Sequence, residues 1–100
     1  MKKFKIKVFI EKTDVGIYLS QLDLQKFYVR ALKRSKLPVY YTQGFNPHPK
    51  LSYINALKVG QRGILEVIFT FTEFVAPENV KDILNRQFIK GLEIKTAQIV

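Results

Sequence analysis

Hydrophobic and polar residues alternate at the start of the chain. Phe4, Ile6, Val8 and Ile10 share one face, with Lys5 and Lys7 opposite. This period of two predicts a half-buried strand over residues 4–10. Thr13-Asp14-Val15-Gly16 reads as a turn. The period then changes. Leu24, Phe27, Tyr28, Ala31 and Leu32 follow the i, i+3, i+4, i+7, i+8 spacing of a helix with one buried stripe. The spacing predicts a helix over 20–36, with Ser20 as N-cap and Asp23 closing a capping box. Lys26, Arg30, Lys33 and Arg34 lie on its other side, where late cations suit the negative end of the helix dipole. Pro38 is expected to end it.

Residues 39–42 (VYYT) are β-prone. The run Gln43-Gly44-Phe45-Asn46-Pro47-His48-Pro49-Lys50 holds too much Gly, Pro and Asn for regular structure. Residues 51–57 read as a strand and 60–63 as a turn. Residues 64–72 form the clearest strand, with Leu65, Val67, Phe69 and Phe71 on one face and Ile68 breaking the alternation. A second helix starts at Pro77 and is expected to stop at Gly91. Val80, Ile83, Leu84 and Phe88 make its buried stripe, with Glu78 and Asp82 early and Arg86 and Lys90 late. Residues 92–99 return as a strand. The order strand, helix, strand, strand, helix, strand predicts an α+β domain. Its fold is a ferredoxin-like split βαβ sandwich, an antiparallel sheet with two helices on one face. The β-prone 39–42 segment extends a hairpin around the following loop.

Composition supports one domain over residues 1–100. Of the 100 residues 47% are hydrophobic, with 8 Phe and 5 Tyr, enough for a packed core. There is no Cys, which excludes disulfides, thiolate zinc sites and thiolate-held iron–sulfur clusters within the chain. No apolar run approaches the ~20 residues of a membrane helix. The early lysines are unlike the apolar core of a signal peptide. Together these features point to the cytoplasm.

Charge divides the chain. Residues 1–62 carry thirteen Lys and Arg against three acids, a net +10, whereas residues 63–100 carry four against five, a net −1. A basic half beside a neutral half suggests a face aimed at an anionic partner, although a lysine-rich surface also serves solubility.

The 43–50 run is the segment best suited to chemistry. Gly44 permits unusual backbone angles, and Pro47 and Pro49 stiffen the chain on either side of His48. Tyr41, Phe45, Asn46 and Lys50 accompany that histidine. A rigid loop with an aromatic, an amide, an imidazole and a lysine can stack on and hydrogen-bond a nucleotide; a purely structural chain crossing uses the same prolines. His48 is the only histidine and a candidate for acid–base catalysis. With no Cys beside it, neither a metal nor another cofactor is expected. Walker-type, dinucleotide-binding and nucleophile-elbow motifs are absent, as is the aromatic strand signature of the RNA-recognition motif.

Three stretches carry a resemblance. They are Tyr18-Leu19-Ser20-Gln21-Leu22-Asp23-Leu24, then Arg30-Ala31-Leu32-Lys33-Arg34-Ser35-Lys36-Leu37-Pro38-Val39, then Gln43-Gly44-Phe45-Asn46-Pro47-His48-Pro49-Lys50-Leu51-Ser52-Tyr53. Together they resemble the bacterial radical SAM-linked domain, a domain of unknown function found at the end of, or encoded beside, radical SAM proteins. The resemblance runs from about Lys12 to Gly60. It implies a radical SAM enzyme as partner. Two departures matter. The family usually has Ser-His-Leu-Asp where this chain has Ser20-Gln21-Leu22-Asp23, so a two-histidine site would be incomplete here. The family's prolines around 56–60 are also missing. Members are typically longer, which makes this chain a trimmed domain or a short relative.

The residues and the resemblance converge on an accessory, non-catalytic binding domain that presents an anionic substrate such as RNA. The candidate binding residues are Ser20, Asp23, Lys26, Arg30, Lys33, Tyr41, Gln43, Gly44, Phe45, Asn46, His48 and Lys50. The alternatives are a protein docking domain for a radical SAM partner and a small RNA-processing enzyme using His48. The 43–50 loop is expected to be ordered and to pack near the first helix's N-terminus, close to Ser20 and Asp23.

Overall fold

Strand β1 spans Phe4–Lys12 in the computed structural model, which describes residues 3–100. It buries Ile6, Val8 and Ile10, as the alternation requires. The strand outlasts the alternating segment because Glu11 and Lys12 still pair on both sides, with Ile64 and Gly63 on one flank and Glu93 and Leu92 on the other. Helix α1 covers Gln21–Ser35, β2 Leu51–Tyr53, β3 Gly63–Phe71, α2 Pro77–Asn85 and β4 Leu92–Ile99. A short 3-10 helix, Asp14–Tyr18, occupies the expected turn.

The four strands run β2-β3-β1-β4, with every adjacent pair antiparallel. This is the ferredoxin-like split βαβ arrangement. Ile6 pairs with Phe69, Val8 with Val67 and Ile10 with Leu65, so these inward side chains form one continuous layer. Leu24, Tyr28, Ala31 and Leu32 of α1 and Val80 and Leu84 of α2 join them in a single core. Each large apolar side chain so buried is worth ~1.5–3 kcal/mol.

Helix α1 begins as its sequence dictates. Asp23 N donates to Ser20 Oγ at 3.1 Å, and Ser20 N donates to Asp23 Oδ2 at 3.3 Å, a complete capping box. It stops before Pro38. Lys36 takes a left-handed φ of 63°, while Ser35 Oγ donates to Leu32 O and accepts from Leu37 N. Those bonds absorb groups the helix end leaves open.

Helix α2 has Pro77 in its first turn, as expected. Gly91 does not cap it, however. The helix ends at Asn85, whose side chain donates to Ile94 O at 3.1 Å and accepts from Ile94 N at 2.8 Å. Phe88 and Lys90 therefore lie beyond the helix. Gly91 instead turns into β4 with φ of 99°. Its carbonyl accepts from Thr13 N at 2.9 Å. A Cβ on Gly16 would overlap the Gly91 backbone, and one on Gly91 would overlap Gly16 N, so this close crossing requires both glycines.

The expected strand over 51–57 is cut to three residues. Beyond Tyr53, the Asn55 side chain takes over the pairing, accepting from Glu66 N at 2.8 Å and donating to Ile64 O at 3.0 Å. The β-prone 39–42 segment folds back on 48–50. Thr42 N donates to His48 O and Lys50 N to Tyr40 O, which leaves Tyr41 opposite Pro49 as an isolated bridge. In that register the ladder bonds fall on either side of the Tyr41–Pro49 pair, so proline's missing N–H costs nothing.

Candidate functional site

Helical spacing builds the first part of the site. Leu22, Gln25, Lys26 and Val29, then Arg30, Lys33 and Arg34, recur at three- and four-residue intervals and form a shallow, open groove between their own side chains along the outer face of α1. Four of these seven residues are cations. Among the described residues the ion pairs are Lys7–Glu66, Lys95–Glu11 and Lys95–Glu93, so none of the four has a carboxylate partner. Asp23, the single acid of α1, is committed to the cap. Hydrogen bonding with Ser20, assisted by the charge of Lys26, holds its carboxyl below the usual range.

The second part is a cleft of about 220 Å³ beside that groove. Helix α1 supplies Gln25 and Val29, the folded-back loop supplies Thr42, His48, Pro49 and Lys50, and β2 supplies Leu51 and Tyr53. Gln25 and Val29 border both features, which makes groove and cleft one continuous surface. The loop therefore meets α1 at its second and third turns, starting just past Asp23, and neither cap residue lines the cleft. The loop thus lies against the N-terminal half of the helix, as expected, with Gln25 and Val29 rather than Ser20 and Asp23 lining the cleft. The loop leaves the sheet near Phe71, opposite Val39.

His48 is held from both ends. Its backbone N donates to Thr42 Oγ1 at 3.3 Å, and its Nδ1 lies 3.0 Å from Asn46 O and 3.4 Å from Thr42 Oγ1. A carbonyl only accepts, so Nδ1 carries a proton, and in the neutral ring Nε2 is then an acceptor. Thr42 Oγ1 accepts from His48 N, and with Nδ1 protonated its own proton stays free to donate.

Two phenols below the loop are unsatisfied. The hydroxyls of Tyr28 and Tyr53 are buried without a hydrogen-bond partner, their rings 6.4 Å apart. Burial pushes Tyr53 up to about 12 and Tyr28 further in the same direction, the neighbouring Tyr53 adding to the effect at Tyr28. Gln21, standing where the resemblance led to a histidine, also has a buried, unpartnered side-chain oxygen.

The remaining sequence candidates lie at the loop tip. Gly44 has φ of 131°, Phe45 is completely exposed, and Tyr41 is 39% exposed. Gln43 and Asn46 are exposed as well. Only His48 and Lys50 of the proposed set line the cleft, and only Lys26, Arg30 and Lys33 line the groove. Sequence reading missed Gln25, Val29, Thr42 and Tyr53. The first two follow from the helical period that places them beside Lys26 and Arg30. No local pattern marks Thr42 or Tyr53. Among the described residues no three His, Cys, Asp or Glu side chains come together, and no helix is long and apolar enough to cross a membrane.

Fold and surface define a small ferredoxin-like domain with a basic groove running into a polar cleft. The chain belongs to a family described as an uncharacterized protein conserved in bacteria (DUF2344), whose model matches residues 5–100. No curated protein and no solved structure matches it.

Proposed function

We propose that this chain is an accessory binding domain that recognises a single-stranded RNA, or a similar flexible polyanion, for a partner enzyme. The observation that carries the reading is the continuity of groove and cleft. Unpaired cations on α1 supply sequence-independent attraction for phosphates. Phe45, fully exposed at the loop tip, offers a stacking surface, and base stacking on an aromatic is worth ~1–3 kcal/mol. The resemblance to radical SAM-linked domains supports a radical SAM enzyme as that partner. Such an enzyme supplies its own cysteine-held cluster, which this cysteine-free chain would complement by holding substrate.

A second reading, docking onto the partner protein, draws support from a different surface. Val15, Tyr18 and Val59 are each more than half exposed, and a backbone bond from Gly60 N to Ile17 O joins the two segments that carry them. The test is a fluorescence-anisotropy titration with single-stranded RNA at low salt. Binding that weakens in the Arg30→Ala, Lys33→Ala double variant supports the first reading. No binding at low salt rejects it and moves the docking reading to first place.

A further inference from the structure

We propose that the cleft beside α1 is a slot for one unstacked nucleobase. The inference deepens the reading above, because the strand whose phosphates lie on α1 would turn this base inward.

Size sets the first limit. At about 220 Å³ the cleft falls below the ~300–1,000 Å³ of pockets that hold drug-sized ligands. It suits a fragment, such as one heterocycle, rather than a whole nucleotide. Its walls are the second argument. Val29, Pro49 and Leu51 are apolar and suit the faces of a flat ring, whereas a phosphate gains nothing from them.

Hydrogen-bonding capacity is the third and decides between the two. Tyr53 lines the cleft, but its hydroxyl is buried beneath the surface without a partner; an unpaired buried hydroxyl is costly, which favours the small ring shift that would bring it to a bound base. Thr42 Oγ1 accepts from His48 N and faces a protonated Nδ1, so its own proton is free. In the neutral ring His48 Nε2 is an acceptor, since Nδ1 is tied to Asn46 O. Gln25 supplies an amide that both donates and accepts. The cleft thus mixes donors with acceptors. A nucleobase edge carries the same mixture. A phosphate presents acceptors alone: Lys50, which also lines the cleft, would attract it, but it would leave the His48 lone pair and the Gln25 carbonyl unanswered.

The test uses uncharged probes, so that it does not depend on phosphate attraction. Adenosine, guanosine, cytidine and uridine are titrated into the protein and followed by two-dimensional NMR. The expected result is that at least one nucleoside shifts the signals of Thr42, His48 and Tyr53, with little change between low and moderate salt. Tyr53→Phe keeps the ring and removes one hydroxyl. It should weaken that nucleoside about five- to tenfold, the value of one hydrogen bond, with the spectrum otherwise native. His48→Ala, in an exposed loop, should also weaken it. Shifts confined to Phe45, or no shifts up to the solubility limit, overturn the slot. RNA that binds by salt-sensitive contacts while all four nucleosides fail overturns the slot alone. Nucleosides that bind while RNA does not leave the slot standing and remove the polyanion reading.

Discussion

The outer side of α1 and the open face of the sheet are both rich in lysine, yet they use their charges differently. On the sheet, Lys7 Nζ lies 2.8 Å from Glu66 and 5.2 Å from the centre of the Phe9 ring. Lys95 reaches Glu93 at 3.5 Å and Glu11 at 4.0 Å. Those two cations are answered within the fold, whereas Lys5, exposed on the same face, forms no ion pair among the described residues. On α1, Lys26, Arg30, Lys33 and Arg34 form no ion pair among the described residues, and the one nearby acid, Asp23, interacts with Lys26 only through its charge. The contrast follows from where the acids fall. Strands β1, β3 and β4 bring Glu11, Glu66 and Glu93 onto the sheet, whereas α1 keeps only Asp23, which its cap consumes. A count of charges alone would rate the two faces alike; pairing separates them, and only unpaired cations are free to meet phosphate without first giving up a partner.

The largest expected effect separates two phenylalanines. Phe45→Ala should weaken RNA binding by ~1–3 kcal/mol while leaving thermal stability within ~0.5 kcal/mol, since the ring touches solvent alone. Phe9→Ala, on the sheet beneath Lys7, should leave RNA affinity unchanged and lower stability. Anisotropy titration and thermal melting of the two variants test both. Equal losses of RNA affinity would erase the distinction between the faces.

Tyrosine ionisation probes the interior behind the cleft. The Tyr53 phenol is pushed up to about 12 from its ordinary 10.0 by burial. The unfolded chain ionises at the lower value, so the folded state holds its proton more tightly. Stability from the neutral phenol is therefore fully present below pH 10.0 and is lost as pH rises through about 12. Absorbance titration should show a tyrosinate phase near 12 that Tyr53→Phe abolishes. Survival of that phase in the variant would contradict the assignment.

Lys36 carries charge at the end of the same helix but does not line the groove. Its left-handed φ of 63° suits glycine better than lysine. Lys36→Gly should stabilise the fold by ~1 kcal/mol, raising Tm by ~4–8 °C, with RNA affinity nearly unchanged. A fall in Tm would refute the strain at this position. The smallest effect lies on the sheet. A double-mutant cycle of Lys7→Ala and Glu66→Ala should return a coupling of ~0.2–1 kcal/mol; a coupling of zero would mean that Lys7 is as free as the α1 cations.

The fold was legible where one period persists. The alternation of Phe4 to Ile10 and of Leu65 to Phe71, and the helical spacing of Leu24 to Leu32, each reflect a single buried face. Boundaries failed where a side chain replaced backbone pairing. Asn55 ends β2 early and Asn85 ends α2 early, and neither event leaves a periodic trace. Gly91 resembled a helix cap, but its role is the backbone crossing with Gly16, a contact between residues far apart in sequence. The site was half legible. The unusual composition of 43–50 marked His48, Lys50 and Phe45. The turn of α1 that the loop meets depends on where the hairpin leaves β3, so Gln25, Val29 and Tyr53 became visible only in three dimensions.

The most direct test compares salt dependence between the two faces. For single-stranded RNA, log K is plotted against log salt for the unmodified protein, for Arg30→Ala with Lys33→Ala, and for Lys7→Ala with Lys95→Ala. If about four phosphates are contacted, the unmodified slope should be near −3, from roughly −0.7 per phosphate. The α1 variant should lose about one to two units of slope, and the sheet variant should retain all of it. A slope that falls in the sheet variant and holds in the α1 variant would contradict the account.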